Sequence, residues 1–162
     1  MTVLIDVLLI ATILGTGIAA GAFYAFSGFV TQGLDRLPPA DAARAMREIN
    51  VTAVRPPLMI ALFGTGLLAA ALLVLALTGS LGGGSWWTVA AAVVYLVGSI
   101  GVTGAANVPR NNRLAAPSAA DAPALAAAWA QFRPGWQAWN HVRTLACAAA
   151  CVGFVLALLA SR

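Results

Sequence analysis

The chain has no lysine, one histidine, two cysteines and five acidic residues among 162. Each shortage closes off a chemistry. With His141 as the lone imidazole and Asp6, Asp35, Asp41, Glu48 and Asp121 as the whole carboxylate set, a histidine-rich or facial-triad metal site cannot be assembled within one chain. Cys147 and Cys151 stand four apart on one helical face, which makes them small packing residues rather than ligands or a disulfide. The sequence also lacks a phosphate-cradling glycine loop, a dinucleotide fingerprint and a Ser-His-Asp arrangement. Carboxylates are missing from the apolar stretches, which argues against an ion-coupled carrier. The net charge of +4 rests on arginines spread over two loops, which meet anionic lipid headgroups first. No nucleic-acid partner is expected.

What the chain has in plenty is apolar length. It is 61% hydrophobic and 9% charged, and Val7 to Val30, Pro57 to Leu77, Trp86 to Ala106 and Thr144 to Ala160 carry no charge. A helix needs roughly 20 apolar residues to cross the hydrocarbon layer, and backbone groups in lipid must be satisfied internally. The expectation is therefore an all-α fold: an integral membrane four-helix transmembrane bundle, with a short amphipathic cytoplasmic helix between spans one and two. Residues 1–162 form one membrane domain in this reading, with spans at about 4–31, 56–78, 86–107 and 138–161. The first span is too long for a signal-peptide core, so its retention is expected.

Arg36, Arg44, Arg47 and Arg55 lie between spans one and two; Arg110, Arg113, Arg133 and Arg143 lie between or beside spans three and four. This predicts cytoplasmic long loops, outer termini and an outer Gly82-Gly83-Gly84 turn. An alanine-rich, lysine-free composition suits a GC-rich bacterial source, hence a bacterial inner membrane. The small-residue stripes Gly17, Gly21, Ala25 and Gly101, Ala105 predict close helix packing within the chain, with a homo-oligomer interface as the alternative.

Prolines punctuate the loops. Pro38-Pro39 and Arg55-Pro56-Pro57 bracket a helix over Ala40 to Val54. One stripe of it carries Asp41, Arg44, Glu48 and Arg55, with Arg44 and Glu48 paired at i,i+4, and the opposite side carries Ala43, Met46, Asn50 and Ala53. Asn50 is the polar exception on an apolar face. Val108 precedes Pro109 and is pushed from helical dihedrals, so span three should end near Asn107, with Asn107, Asn111 and Asn112 available to cap its carbonyls. Ala124 to Phe132, carrying Trp129, reads as a separate surface helix in a lid or connector. If span four begins near Pro134, Trp136, Asn140, Arg143 and Cys147 share a face that continues through Ala146, Ala150, Gly153 and Ala157. His141 lies about 200° from Arg143 at ~100° per residue, so the two do not enter one pocket from a regular helix.

Together the glycine-rich first span, Ala45-Met46-Arg47-Glu48-Ile49-Asn50, Thr103 with Asn107-Val108-Pro109-Arg110-Asn111-Asn112, and Trp136-x-x-Trp139-Asn140-His141-Val142-Arg143-Thr144 resemble the anthrone-oxygenase-like family of small integral membrane proteins. The resemblance runs over nearly the whole chain. It implies a four-helix membrane protein, and some members oxidise polyketide anthrones to anthraquinones with O2 as co-substrate and no evident cofactor. A metal or haem recruited between subunits stays open.

For such chemistry His141 is the default base, as the side-chain type that titrates near neutrality, with Arg143 as its catalytic partner. Arg143, Asn107, Asn111, Asn140 and Asn50 would hold the oxyanion and orient phenols, while Trp136 and Trp139 would stack on a flat ring system. The expected partners are an aromatic or lipid-like small molecule and the membrane lipids. The alternative function is a lipid- or quinone-binding accessory membrane protein without catalysis.

Overall fold

The structure, a computed structural model, describes residues 2–81 and 85–161. Five helices account for it: α1 (Val3–Leu34), α2 (Pro39–Ala53), α3 (Ile60–Leu77), α4 (Ser85–Ala115) and α5 (Ala122–Ala160). No strand occurs among the described residues. All but α2 are long and apolar enough to span a membrane. The protein is an all-α integral membrane bundle. The expected turn at Gly82-Gly83-Gly84 lies outside the described residues.

The spans close into a ring in which α1 packs on α3, α3 on α4, α4 on α5 and α5 on α1. Their outward faces remain apolar, with Val3, Leu67 and Leu145 each at least 70% exposed, as lipid-facing helices require. Leu9, Phe23, Leu62, Leu72, Tyr95, Cys147 and Phe154 fill the centre. Close approach occurs at Gly15 against Thr65 and at Gly98 against Ala146, where an added Cβ would lie 2.6 Å from the alanine methyl. It does not occur at Gly21, where a Cβ would meet nothing within 4 Å. The predicted stripe on α1 thus marks the wrong glycine, because spacing alone does not say which side meets a neighbour.

A second apolar cluster caps one end of the bundle: Leu34, Ala42, Ala43, Met46, Leu114, Leu125, Trp129, Phe132 and Trp136. It exists because α5 is far longer than a span. Its 39 residues extend about 58 Å at ~1.5 Å each, against a hydrocarbon layer of about 30 Å. Asp121 caps its start, accepting from the Ala124 N–H at 2.9 Å, and Pro123 occupies the first turn.

The predicted break near Pro134 and the separate 124–132 surface helix are therefore corrected to one continuous helix. Pro134 and Ala130 both lie on the exposed face, so the carbonyl freed by the proline faces outward and the ladder continues. The lid shrinks to a short connector after α4, pinned by Arg47 to the Leu114 and Pro117 carbonyls (both 2.7 Å) and by Arg44 to the Ala119 carbonyl (3.2 Å).

Span three is corrected too. Val108 keeps helical dihedrals (φ −59°, ψ −47°) and α4 runs on to Ala115. The turn before it, Thr103–Asn107, is π-helical, and Pro109 falls in the first α-helical turn that follows, where its missing N–H matters least. Arg110, rather than an asparagine, satisfies the nearby Ala106 carbonyl at 2.8 Å. In α2, which spans Pro39–Ala53 as the prolines predict, Arg44 pairs with Asp41 at 2.6 Å instead of Glu48.

Candidate functional site

A cavity of about 280 Å³ opens where the membrane core meets the cap cluster. Its wall is almost wholly apolar, built from Phe23, Phe26, Met46, Leu58, Met59, Leu62 and Phe63 among others. Asn50, Thr103, Asn111, Asn140 and Arg143 supply polarity and Trp136 an indole. Three of the four π-helical segments among the described residues contribute to it: Phe26 from Phe26–Val30, Leu62 and Phe63 from Ile60–Gly64, and Thr103 from Thr103–Asn107. Each wide turn rotates the side chains after it relative to a regular helix, bringing ring edges and polar groups to one level.

Arg143 is the centre of the arrangement. It is 6% exposed, and no carboxylate among the described residues lies in ion-pair contact with it. Its Nη2 donates to Asn140 Oδ1 at 2.7 Å and its Nη1 to Thr103 Oγ1 at 3.3 Å, while its Nε is buried without a partner. The guanidinium carbon lies 4.1 Å from the Phe23 ring centroid and 5.5 Å from that of Trp136, so aromatic faces replace part of the lost hydration. Burying a cation without an anion costs several kcal/mol.

The neighbours hold this geometry. Asn140 Nδ2 donates to the Phe23 carbonyl and to Ser27 Oγ, both at 2.8 Å, which leaves its oxygen for Arg143. Trp136 Nε1 donates to Asn111 Oδ1 at 2.8 Å and ties α5 to the end of α4. Its ring is stacked against Phe132 and meets Phe26 edge-on at 5.6 Å.

Five of the eight sequence-derived candidates therefore come together on the wall: Asn50, Asn111, Trp136, Asn140 and Arg143. Asn107 lies behind it, fully buried, with Nδ2 donating to the Trp136 carbonyl at 3.3 Å and Oδ1 unpartnered. Trp139 and His141 are exposed and line no part of the cavity. The Gln137 amide nitrogen is 3.1 Å from both the Ser27 carbonyl and His141 Nε2; as a donor to both, it makes that ring nitrogen an acceptor. The wall holds no histidine and no carboxylate. Sequence reasoning missed Phe23, Phe26 and Ser27; the first span offers a serine in an apolar run as the only signal. Among the described residues no cluster of metal-ligating side chains occurs.

Fold and site define a class: an integral membrane protein with an aromatic-lined cavity built around a buried, carboxylate-free arginine. The family model described as anthrone oxygenase matches residues 57–153, and the chain belongs to that family. The matched stretch carries Thr103, Asn111, Trp136, Asn140 and Arg143, while Phe23, Phe26 and Asn50 precede it. No curated protein and no solved structure matches the chain.

Proposed function

We propose that the protein is a membrane-embedded oxygenase that oxidises anthrone- or hydroquinone-like aromatics with O2 and without an organic cofactor. The observation that carries this reading is Arg143, a cation with no carboxylate partner among the described residues, on a mostly apolar, ring-lined cavity. At about 280 Å³ the cavity is near the small end of the ~300–1,000 Å³ range of ligand pockets, which favours a few fused rings over a long chain. Its rim includes exposed Val54, Phe63 and Val108, which suits entry of an apolar molecule from the bilayer. The membrane is a bacterial inner membrane in this reading, with both long loops cytoplasmic and both termini outside.

For an anthrone the steps balance without a further reductant. The acidified methylene loses a proton, and the oxygen of the resulting anion lies against the Arg143 guanidinium, whose charge lowers the energy of that anion. The anion gives one electron to O2, and the radical and superoxide join at the former methylene carbon. The peroxide, reprotonated, then breaks its O–O bond and loses water, leaving a carbonyl. One O2 is consumed, one of its atoms stays in the product and the other leaves as water. With no histidine or carboxylate on the wall, the first proton passes to water at the rim, and Arg143 supplies the acidification that a base would otherwise provide.

The same lack of a titrating group favours a second reading, a quinone- or lipid-binding accessory protein that holds an anionic aromatic and turns nothing over. Oxygen uptake separates the two. Purified protein with emodin anthrone, after subtraction of spontaneous oxidation, should consume one O2 per anthraquinone formed, and R143Q should lose about 10²–10³-fold of the rate. Uptake no faster than background with folded wild-type protein supports the accessory reading instead.

A further inference from the structure

A second cavity, of about 190 Å³, lies outside this site, between the last turns of α4 and the cap half of α5. Arg110, Arg113 and Gln131 give it polarity, while Leu114, Phe132 and Gly135 are among its remaining lining residues. No carboxylate lines it. Of the other arginines at this end, Arg133 forms a forked pair with Asp35, Arg44 pairs with Asp41 and Arg47 holds carbonyls, while Arg36 and Arg55 are exposed at the surface away from this cavity.

Arg110 is positioned by one nitrogen only. Nη1 is fixed on the Ala106 carbonyl at 2.8 Å, and no protein acceptor among the described residues takes Nε or Nη2. These two form the edge with which a guanidinium grips a phosphate or carboxylate through parallel hydrogen bonds. That edge faces Gly135. A Cβ at residue 135 would lie 2.9 Å from Nε and 3.4 Å from Nη2, so the guanidinium keeps this position only beside glycine and a larger residue there pushes it aside. Arg113 adds a second positive charge with no side-chain acceptor among the described residues.

We propose that this notch binds a phosphate group, and that its source is the headgroup of an anionic phospholipid. The cavity sits on the arginine-rich side of a membrane bundle, its volume suits a headgroup rather than a whole lipid, and buried Leu114 and Phe132 provide an apolar floor beside the charge. Occupancy would clamp α4 to α5 one residue from Trp136 and one from Asn111, the pair that ties the wall of the first cavity.

The test is a thermal-shift titration of the delipidated full chain in uncharged detergent with short-chain phosphatidylglycerol, short-chain phosphatidylcholine and inorganic phosphate. Wild type should be stabilised saturably by phosphatidylglycerol and not by phosphatidylcholine. Glycine-135 replacement (G135A) and R110Q should abolish the saturable shift, and R110K, which keeps the charge without the fork, should weaken apparent affinity about tenfold. Saturation by inorganic phosphate, lost in the same variants, supports the phosphate site with a free anion as its source. Folding of each variant is checked by its helical circular dichroism and gel-filtration profile. An equal response of wild type and folded G135A and R110K, or no saturable response in wild type, overturns the proposal.

Discussion

Asn140 gives its oxygen to Arg143 while its nitrogen is committed to Phe23 and Ser27. An aspartate there, nearly the same in shape, sets a carboxylate against the guanidinium and supplies the anion that the site lacks. N140D should therefore lose at least about tenfold in oxygen uptake, because the arginine is neutralised before substrate arrives, and should melt somewhat lower, because its second oxygen cannot donate to the Phe23 carbonyl. Unchanged uptake would mean that the free charge is not what the reaction uses. His141 provides the converse test: exposed and outside the cavity, it should be replaceable in H141A with turnover within about threefold of wild type. A loss of several hundredfold in a folded H141A would return it to the role of base. These two residues also show what could be read from the sequence. The helical angle placed Trp136, Asn140 and Arg143 on one face and His141 on another, while residue type drew His141 into the site as the side chain that titrates near neutrality and Trp139 as a ring to stack on a flat substrate. Adjacency in a motif is adjacency along the chain, and on a helix only every third or fourth residue shares a surface.

At the scale of the element, the four spans followed from uncharged length, and their boundaries did not. Pro109 read as the end of one span, because the residue before a proline is pushed from helical dihedrals, and Pro134 as the start of the next. In the folded chain one falls in the first turn after a π-helical stretch and the other turns its freed carbonyl outward, so neither breaks anything. P134A should consequently leave the thermal midpoint unchanged or raise it, which a melt in one detergent will check. A marked fall would indicate that the proline shapes α5. The π turns were not legible at all, because their widening has no residue pattern of its own and is settled by packing against neighbouring helices. Close approach behaves likewise: G98V drives a branched side chain into Ala146 and should destabilise the α4–α5 contact by about 1–3 kcal/mol.

For the whole molecule, a membrane-sized bundle and a polar-studded cap meet at one level, and the cavity lies at their junction. An apolar aromatic dissolved in the bilayer meets there a buried cation held on aromatic faces, with no carboxylate on the cavity wall. The account's central claim is that this cation stabilises the ionised form of the bound aromatic, and absorbance under strict anaerobiosis tests it directly. Emodin anthrone titrated with base in the presence of excess protein should show the anthronate spectrum at a pH at least about one unit lower than in detergent alone, with R143Q abolishing the difference. A bound anthrone that ionises at the same pH with wild type, R143Q and detergent alone would contradict the account.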